Sequence, residues 1–396
     1  MRSQAFPIGA AATLAELEAD PHPLLARLRE REPVSWLPSL DGWLVTRRDL
    51  AMQVMRDPGT FTVDDPRFST GQVVGPSMLT LDGEAHKRHR APFAGPFRLD
   101  AVRERFTAPV QEETDRLIDL LAPAGEAELR RELAGPLAAA IVTHALGLRE
   151  AGAAEVLGWY DAIVASVTEI TAGHGPTEAG RRGFEALRAA MEPALDRSPE
   201  SSLVAAAAGD AGGLGRGEVV SNAAVLLFGG IETTEGMIAN AIAHLLAHPD
   251  QLAAVRAEPA LLANAIEESL RLEPAAAVVD RYATRDADLA GAPIRERELV
   301  VVSIAGANRD PAVFPEPDRF DVRRPNAKLH VAFAHGPHVC IGMHLARLEA
   351  HTAIARVLER LPGLRLDDAG APAPRGLVFR KPDALRVRWT VPSAVG

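Results

Sequence analysis

The sequence has a single cysteine, Cys340, among 396 residues. That scarcity excludes any disulfide within the chain, leaves no ligand set for an iron–sulfur cluster, and fits a reducing cytoplasm. There is no uninterrupted apolar run of about 18 residues or more, which excludes a membrane-spanning helix. Met1 to Glu16 has no charged segment followed by a long apolar one, so it does not read as a secretory leader. Excess positive charge is absent too. The formal net charge is -10 and the basic residues are dispersed, which counts against nucleic acid as a partner. No linker, low-complexity tract or internal repeat divides the chain. Length alone would suggest two or three domains. With 47% hydrophobic and 24% charged residues and no boundary signal, residues 1–396 read instead as one globular domain with a large core.

What is present centres on Phe333-Ala-His-Gly-Pro-His-Val-Cys-Ile-Gly342. Gly336 and Pro337 signal a turn. After Gly342 a helical period follows, with Ala346, Ala350, Ala353 and Val357 on one face. The sulfur therefore sits where a glycine-bearing loop enters a helix. Unpaired N–H groups and the partial positive charge of a helix N-terminus favour the thiolate, the form that ligates metals. Two plainer readings compete. One is an inert buried cysteine. The other is a zinc site drawing on His330, His335, His338 and Cys340, although their spacing does not match the paired zinc signatures.

Taken whole, the pattern of Phe333, Gly336, Cys340 and Gly342 resembles the haem-binding loop of the cytochrome P-450 family of haem-thiolate monooxygenases. The resemblance implies that Cys340 is the axial ligand of a haem iron, its thiolate pushing electron density toward bound oxygen to favour O–O cleavage. Ala334 departs from the pattern, since many bacterial members have glycine there. Alanine is small, and no loss of function is expected. The family implies a mainly α-helical fold with a small β region in one large domain, and haem b (iron protoporphyrin IX) as cofactor.

Other stretches match in order from about residue 75 onward. His86 and Arg90 lie four apart on one helix face. Read alone, Asp82 to Arg90 is a solvated basic face. It resembles the family's His-x-x-x-Arg helix, which implies that both side chains hold haem propionates. Lys87, Arg88 and His89 would then turn to a surface where an acidic ferredoxin docks. Arg281 resembles the propionate-binding arginine, and His338 is placed with these three.

The period from Glu218 to His248 predicts a long helix. Inside it, Phe228-Gly-Gly-Ile-Glu-Thr-Thr234 carries two adjacent glycines, each costing roughly 1 kcal/mol against alanine. It also puts an acid and a hydroxyl on a stretch apolar on every side, hence buried. A glycine kink with a helix-bonded threonine is the plain reading. The stretch resembles the family's oxygen-activation motif. That implies that Gly229 lets the helix pass close to the haem, and that Glu232 and Thr233 relay protons.

Leu261 to Arg271 reads as a helix closed by Pro274. Glu268 and Arg271 are one turn apart, and an exposed pair of this kind is worth under about 1 kcal/mol. It resembles the family's buried Glu-x-x-Arg pair, with Arg319 as third member, a structural trio that holds the haem loop.

Trp36 to Thr46 reads as a small hairpin. Phe61 to Thr80, rich in Gly, Pro and Ser without a helical stripe, reads as a long loop. Residues 200–217 read as a flexible connection, since Gly213-Leu-Gly-Arg-Gly217 lacks the third glycine and the preceding strand of a dinucleotide loop. By the resemblance, the 61–80 loop roofs a substrate pocket through Val73, Val74, Met78 and Leu79. The long helix adds Val225, Phe228 and Gly229. Ala275, Ala276, Val278 and Val279 follow Pro274, and a late hairpin over Gly376 to Phe379 brings Leu377 and Val378. Glu232 is the only ionisable group expected there. The expected substrate is therefore a mid-sized, largely apolar, uncharged molecule of secondary metabolism, hydroxylated or otherwise oxidised with O2. Electrons would come from a separate ferredoxin and ferredoxin reductase with NAD(P)H, because no fused reductase is visible. The protein is expected to be a cytoplasmic monomer without membrane contact. A peroxide-driven peroxygenase and a non-catalytic haem sensor are the alternatives. The intact acid–alcohol pair counts against both.

Overall fold

Val34-Ser-Trp-Leu37 and Gly42-Trp-Leu-Val45 are rich in β-branched and aromatic residues, and they pair as the expected hairpin, β1 (Val34–Leu37) and β2 (Gly42–Val45). The structure, a computed structural model, describes residues 2–148, 151–171, 174–197, 202–209, 213–367 and 373–391. After the hairpin come α1 (Arg48–Arg56), β3 (Phe61–Thr62), α2 (Ser69–Val74), α3 (Gly83–Ala94) and α4 (Leu99–Leu121). The second half contributes α5 (Arg216–Ala247), α6 (Leu261–Leu272), β4 (Val278–Ala283), β5 (Leu299–Ser303) and α7 (Met343–Arg360). The fold is mainly α-helical with small sheets. No helix among the described residues is long and apolar enough to cross a membrane.

The main sheet has the order β1-β2-β5-β4-β3. Only β2 and β5 run parallel; the other neighbours are antiparallel. Alternation along each strand gives the sheet two apolar faces. Val45, Val300 and Val302 pack with Val54 and Met55 of α1 and with Val331, just ahead of the cysteine loop. Leu37, Leu44 and Val301 pack with Leu17, Leu25 and Leu28 near the N-terminus. The largest core surrounds α5, which is buried along most of its 32 residues. That is the burial an all-round apolar helix requires.

Two readings change. Ser69–Val74 forms a helix inside the stretch expected to be a loop. Six residues are too few to show a helical period, and Thr70 and Val74 are buried by packing from elsewhere. Leu203–Gly209 is likewise a helix, with Leu203, Val204, Ala205 and Ala207 buried, so that part of the 200–217 stretch is packed rather than flexible. Residues 200–201 and 210–212 lie outside the described ones.

Candidate active site

The loop before α7 is shaped by two left-handed residues, Ala334 at φ 58° and Gly336 at φ 76°. Gly336 has no alternative, since a Cβ there would lie 2.4 Å from the Met55 carbonyl oxygen of α1. The Cys340 N–H closes the loop onto the Phe333 carbonyl at 2.8 Å. The Phe333 ring lies under the Arg347 guanidinium, 4.4 Å from its centroid. Gly342 caps α7. The Cys340 side chain is accessible although Arg90 and Arg347 lie close to it. Burial pushes its thiol pKa up, while the Gly342 N–H, Arg90 and Arg347 draw it down. Ala334 is strained in a way its size does not suggest. A left-handed L-residue costs about 1–2 kcal/mol, partly offset by the lower unfolded-chain entropy of alanine relative to glycine. Ala334→Gly is expected to raise stability by about 0.5–1 kcal/mol in thermal melts, and an unchanged or lower melting point would contradict this account.

Beside the loop, α3 and β4 supply a cationic cradle. Asp82 precedes α3 and is held by Thr62 Oγ1 at 2.7 Å, by the Val63 N–H at 2.9 Å and by His338 Nε2 at 2.7 Å. Burial alone would raise the Asp82 pKa, but these bonds bring it below the ordinary value. The His86 ring lies 4.4 Å from that of His338. Burial, with His338 and Arg90 nearby, lowers the His86 pKa to about 4. Its Nε2 is buried without a partner. Arg90 Nη2 donates to the Val339 carbonyl at 2.6 Å. Arg281 is 4% exposed, and its one described hydrogen bond runs from Nη1 to the Asp280 carbonyl at 2.7 Å. His338 thus enters the cradle already bound to Asp82 rather than as an unpartnered donor. His89 is a correction: it is buried rather than at the surface, with Nδ1 3.0 Å from Asn222 Nδ2 and Nε2 3.2 Å from Glu218. Lys87 and Arg88 are exposed, paired with Glu84 and Glu218.

On α5, Gly229 is exposed in an otherwise buried stretch, and a Cβ built on it meets no atom within 4 Å. The Thr233 hydroxyl donates to the Gly229 carbonyl at 2.6 Å. Glu232 is buried, and its carboxylate lies 2.8 Å from Lys381 Nζ. No hydrogen bond joins Glu232 to Thr233 among the described residues. Lys381 also reaches Glu235, at 2.9 Å.

Glu268 and Arg271 on α6 are fully buried and joined at 2.7 and 2.8 Å. The expected third member, Arg319, is not there. Its side chain is exposed and pairs with Glu316 and Asp321, while its carbonyl accepts from Arg271 and Arg324. Arg324 takes the place, with Nε 2.9 Å from Glu268 Oε1. Five residues further along a meander, it comes within reach only through the tertiary path of the chain. Glu267, which sequence reasoning passed over, ties α6 to the cysteine loop more directly, through Arg347 at 2.6 and 2.9 Å and His330 at 3.1 Å. Among the described residues no group of three or more His, Cys, Asp or Glu is placed to hold a metal ion, and His330 and His338 are committed to carboxylates.

A family model described as Cytochrome P450 matches residues 192–364. The cytochrome P450 monooxygenase PikC of Streptomyces venezuelae is 37% identical over 395 residues, spanning 94% of this chain and 92% of that protein. The chain belongs to the cytochrome P450 family. The 20-oxo-5-O-mycaminosyltylactone 23-monooxygenase of Streptomyces fradiae is 35% identical, over 86% of this chain and 82% of that one. The cytochrome P450 CYP109Q5 of Chondromyces apiculatus superposes with a TM-score of 0.85 at 29% identity, over 96% of this chain and 98% of the other.

As a cytochrome P450 the chain is a haem-dependent monooxygenase of small molecules, supplied with electrons by redox partners. Its residues fit a haem. An accessible sulfur at Cys340 suits an iron, and the orphaned Nε2 of His86 and the buried Arg281 guanidinium suit the carboxylates of a porphyrin. The side chains expected at the substrate pocket divide. Val73, Val74, Met78, Val225 and Phe228 belong to the helical core, together with Phe379, whose ring meets Phe228 edge-on at 5.5 Å. Leu79 is half-buried on the same loop. Ala275 packs against Gly236 of α5, and Ala276 pairs with Phe379. Val279 packs on the sheet face shared with Ala334. Val278 and Leu377 are corrections: both pack on the opposite face, with Leu37, Leu44 and Ala277. The Val378 carbonyl is spent on the Ala277 N–H at 2.8 Å. Strand alternation decides this, because Val278 and Val279 point to opposite sides. Phe379 takes the place expected of Leu377, since the turn at Gly376, φ 111°, redirects the chain. Nor is Glu232 alone: Lys381 sits beside it.

Proposed function

We propose that Cys340 would supply the thiolate that holds the iron of haem b, that Arg90, Arg281, His86 and His338 would hold its propionates, and that Thr233 and Glu232 relay protons on the α5 side. The observation that carries this reading is an accessible sulfur inside the fold, beside a buried cationic cradle with an unpartnered donor. When bound, the haem supplies the dioxygen chemistry and its thiolate ligand the electron push. The chain's residues do the rest. Phe333, Gly336 and Gly342 shape the loop. Arg90 and Arg281 neutralise carboxylates that would otherwise be buried unpaired. Gly229 leaves room beside α5. The Thr233 hydroxyl, held at the Gly229 carbonyl, is the proton donor nearest that room.

The substrate we propose is mid-sized, mostly apolar and uncharged, because Phe228, Phe379, Val225 and Ala276 offer little to pair a charge. The reaction proposed is hydroxylation or oxidative coupling at an unactivated carbon. Relatives named 20-oxo-5-O-mycaminosyltylactone 23-monooxygenase and pentalenic acid synthase support the size range. The reading places the protein as a cytoplasmic monomer, one domain over residues 1–396, fed by ferredoxin and ferredoxin reductase with NAD(P)H. Hydrogen peroxide alone should not support turnover.

Thr233→Ala tests the proton role. NAD(P)H consumption and haem content are expected to persist while product falls and released hydrogen peroxide rises. Loss of a positioned acid costs about 100- to 10,000-fold in general acid–base catalysis, so the ratio of product to NAD(P)H consumed is expected to collapse. Unchanged coupling would remove Thr233 from the relay.

A further inference from the structure

Lys381 stands between two carboxylates on one face of α5. Its Nζ is 2.8 Å from Glu232 and 2.9 Å from Glu235, residues three apart and hence neighbours on the helix surface. Both acids are more than nine-tenths buried. Glu235 has a second cation, Arg130 at 3.0 Å, whereas Glu232 has Lys381 as its only ion-pair partner among the described residues. The four charges cancel. The lysine is also held in place. A Cβ on Gly236 would meet Ala275 at 3.0 Å and the Lys381 Cβ at 3.5 Å, so the hairpin lies directly on α5. Its neighbour Arg380 is buried and bonded to Glu273 at 2.6 Å and to carbonyls of Glu18, Gly376 and Pro374.

We propose that Glu235 is a positioning residue for proton delivery, acting by keeping Lys381 paired whenever Glu232 lets go of it. This rests on the relay role given to Glu232 above. With its carboxylate at Lys381 and the Thr233 hydroxyl at the Gly229 carbonyl, the structure holds the pair apart. Delivery requires Glu232 to leave the lysine, take up one proton from solvent water and pass it toward Thr233, ending as the carboxylate it began as, with no electron moved within the cluster. A buried ammonium left without a partner is costly, and that cost would oppose the departure. Glu235 removes it, because Lys381 passes to a carboxylate already in contact. Arg130 meanwhile limits how tightly Glu235 competes for the lysine at rest. Burial, with Glu232 nearby, holds the Glu235 pKa above its ordinary value against the opposing pull of Lys381 and Arg130.

The test uses the holoenzyme with a turnover substrate and single-residue variants of the cluster. Glu235→Gln leaves Lys381 with Glu232 alone. Product per NAD(P)H is expected to fall about tenfold, short of the roughly 100-fold or more that losing a proton donor outright costs, and the solvent deuterium isotope effect on product formation to grow. Lys381→Arg is expected to keep wild-type coupling. An independent readout is isotope-edited infrared of the substrate-free protein, with the Glu232 band assigned by Glu232→Gln. Lys381→Met is expected to convert that band from carboxylate to protonated carboxyl at neutral pH. Glu235→Gln that melts lower but leaves both coupling and isotope effect at wild-type values would overturn the proposal, as would an unchanged Glu232 band in Lys381→Met. If Thr233→Ala and Glu232→Gln themselves leave coupling intact, the relay fails. If they uncouple turnover and Glu235→Gln does not, only the role of Glu235 fails.

Discussion

Cys340→His is expected to abolish the red-shifted Soret band that the reduced protein shows with carbon monoxide, and product formation with it. The band would report a thiolate on the iron. Burial holds the Cys340 thiol above its ordinary pKa, and the Gly342 N–H, Arg90 and Arg347 oppose it by favouring the anionic sulfur. An imidazole there is neutral or cationic, so the same donors face a group that gives them nothing. The electron push that favours O–O cleavage belongs to the thiolate and goes with it. Haem is expected to remain at least in part, because the cradle of Arg90, Arg281 and His86 is untouched. A normal thiolate-type spectrum in Cys340→His would refute the assignment of the ligand.

Glu268→Gln is expected to cost about 3–5 kcal/mol of stability. Its carboxylate receives Arg271 through Nε and Nη2, Arg324 through Nε at 2.9 Å, and the Asp321 N–H at 3.1 Å, and neither Glu268 nor Arg271 has any exposure. A neutral amide leaves two buried guanidinium groups short of charge. Breaking a buried pair from one side costs about 3–5 kcal/mol, a large part of the about 5–15 kcal/mol that holds a typical protein together. The damage would spread, because Arg271 also donates to the Asn308 carbonyl and Asn308 Oδ1 accepts from the Val331 N–H at the entry to the cysteine loop. Denaturant unfolding and haem content per protein are the measurements, and both should drop. Arg319→Ala is the control. Its exposed pairs with Glu316 and Asp321 are worth little, and the carbonyl that Arg271 and Arg324 use survives the change. A large loss in Arg319→Ala, or none in Glu268→Gln, would reverse the assignment of the third member.

The cysteine loop, the long α5 and the Glu268–Arg271 pair could be read from the chain because each is local. Turn residues, helical period and an i, i+3 spacing act over a few positions, and their side chains meet whatever the rest of the molecule does. The 61–80 stretch was misread for the converse reason. Six residues of helix at Ser69–Val74 carry no period of their own and are helical because Val74 is buried against a core made elsewhere.

What the sequence by itself determined is therefore the chemistry available: one thiol at a helix entry, two glycines with an acid and an alcohol in a buried helix, and a mainly helical chain with one small β region. Only the tertiary structure decided which groups meet. Arg324 rather than Arg319 reaches Glu268, His89 turns inward to Asn222, Val278 and Leu377 face away from Phe228, and Lys381 comes from a distant hairpin to hold Glu232. Each of these contacts joins residues whose separation along the chain says nothing about their distance. Which one forms depends on strand alternation, on the path of the meander, and on the need of every buried charge for an opposite one nearby.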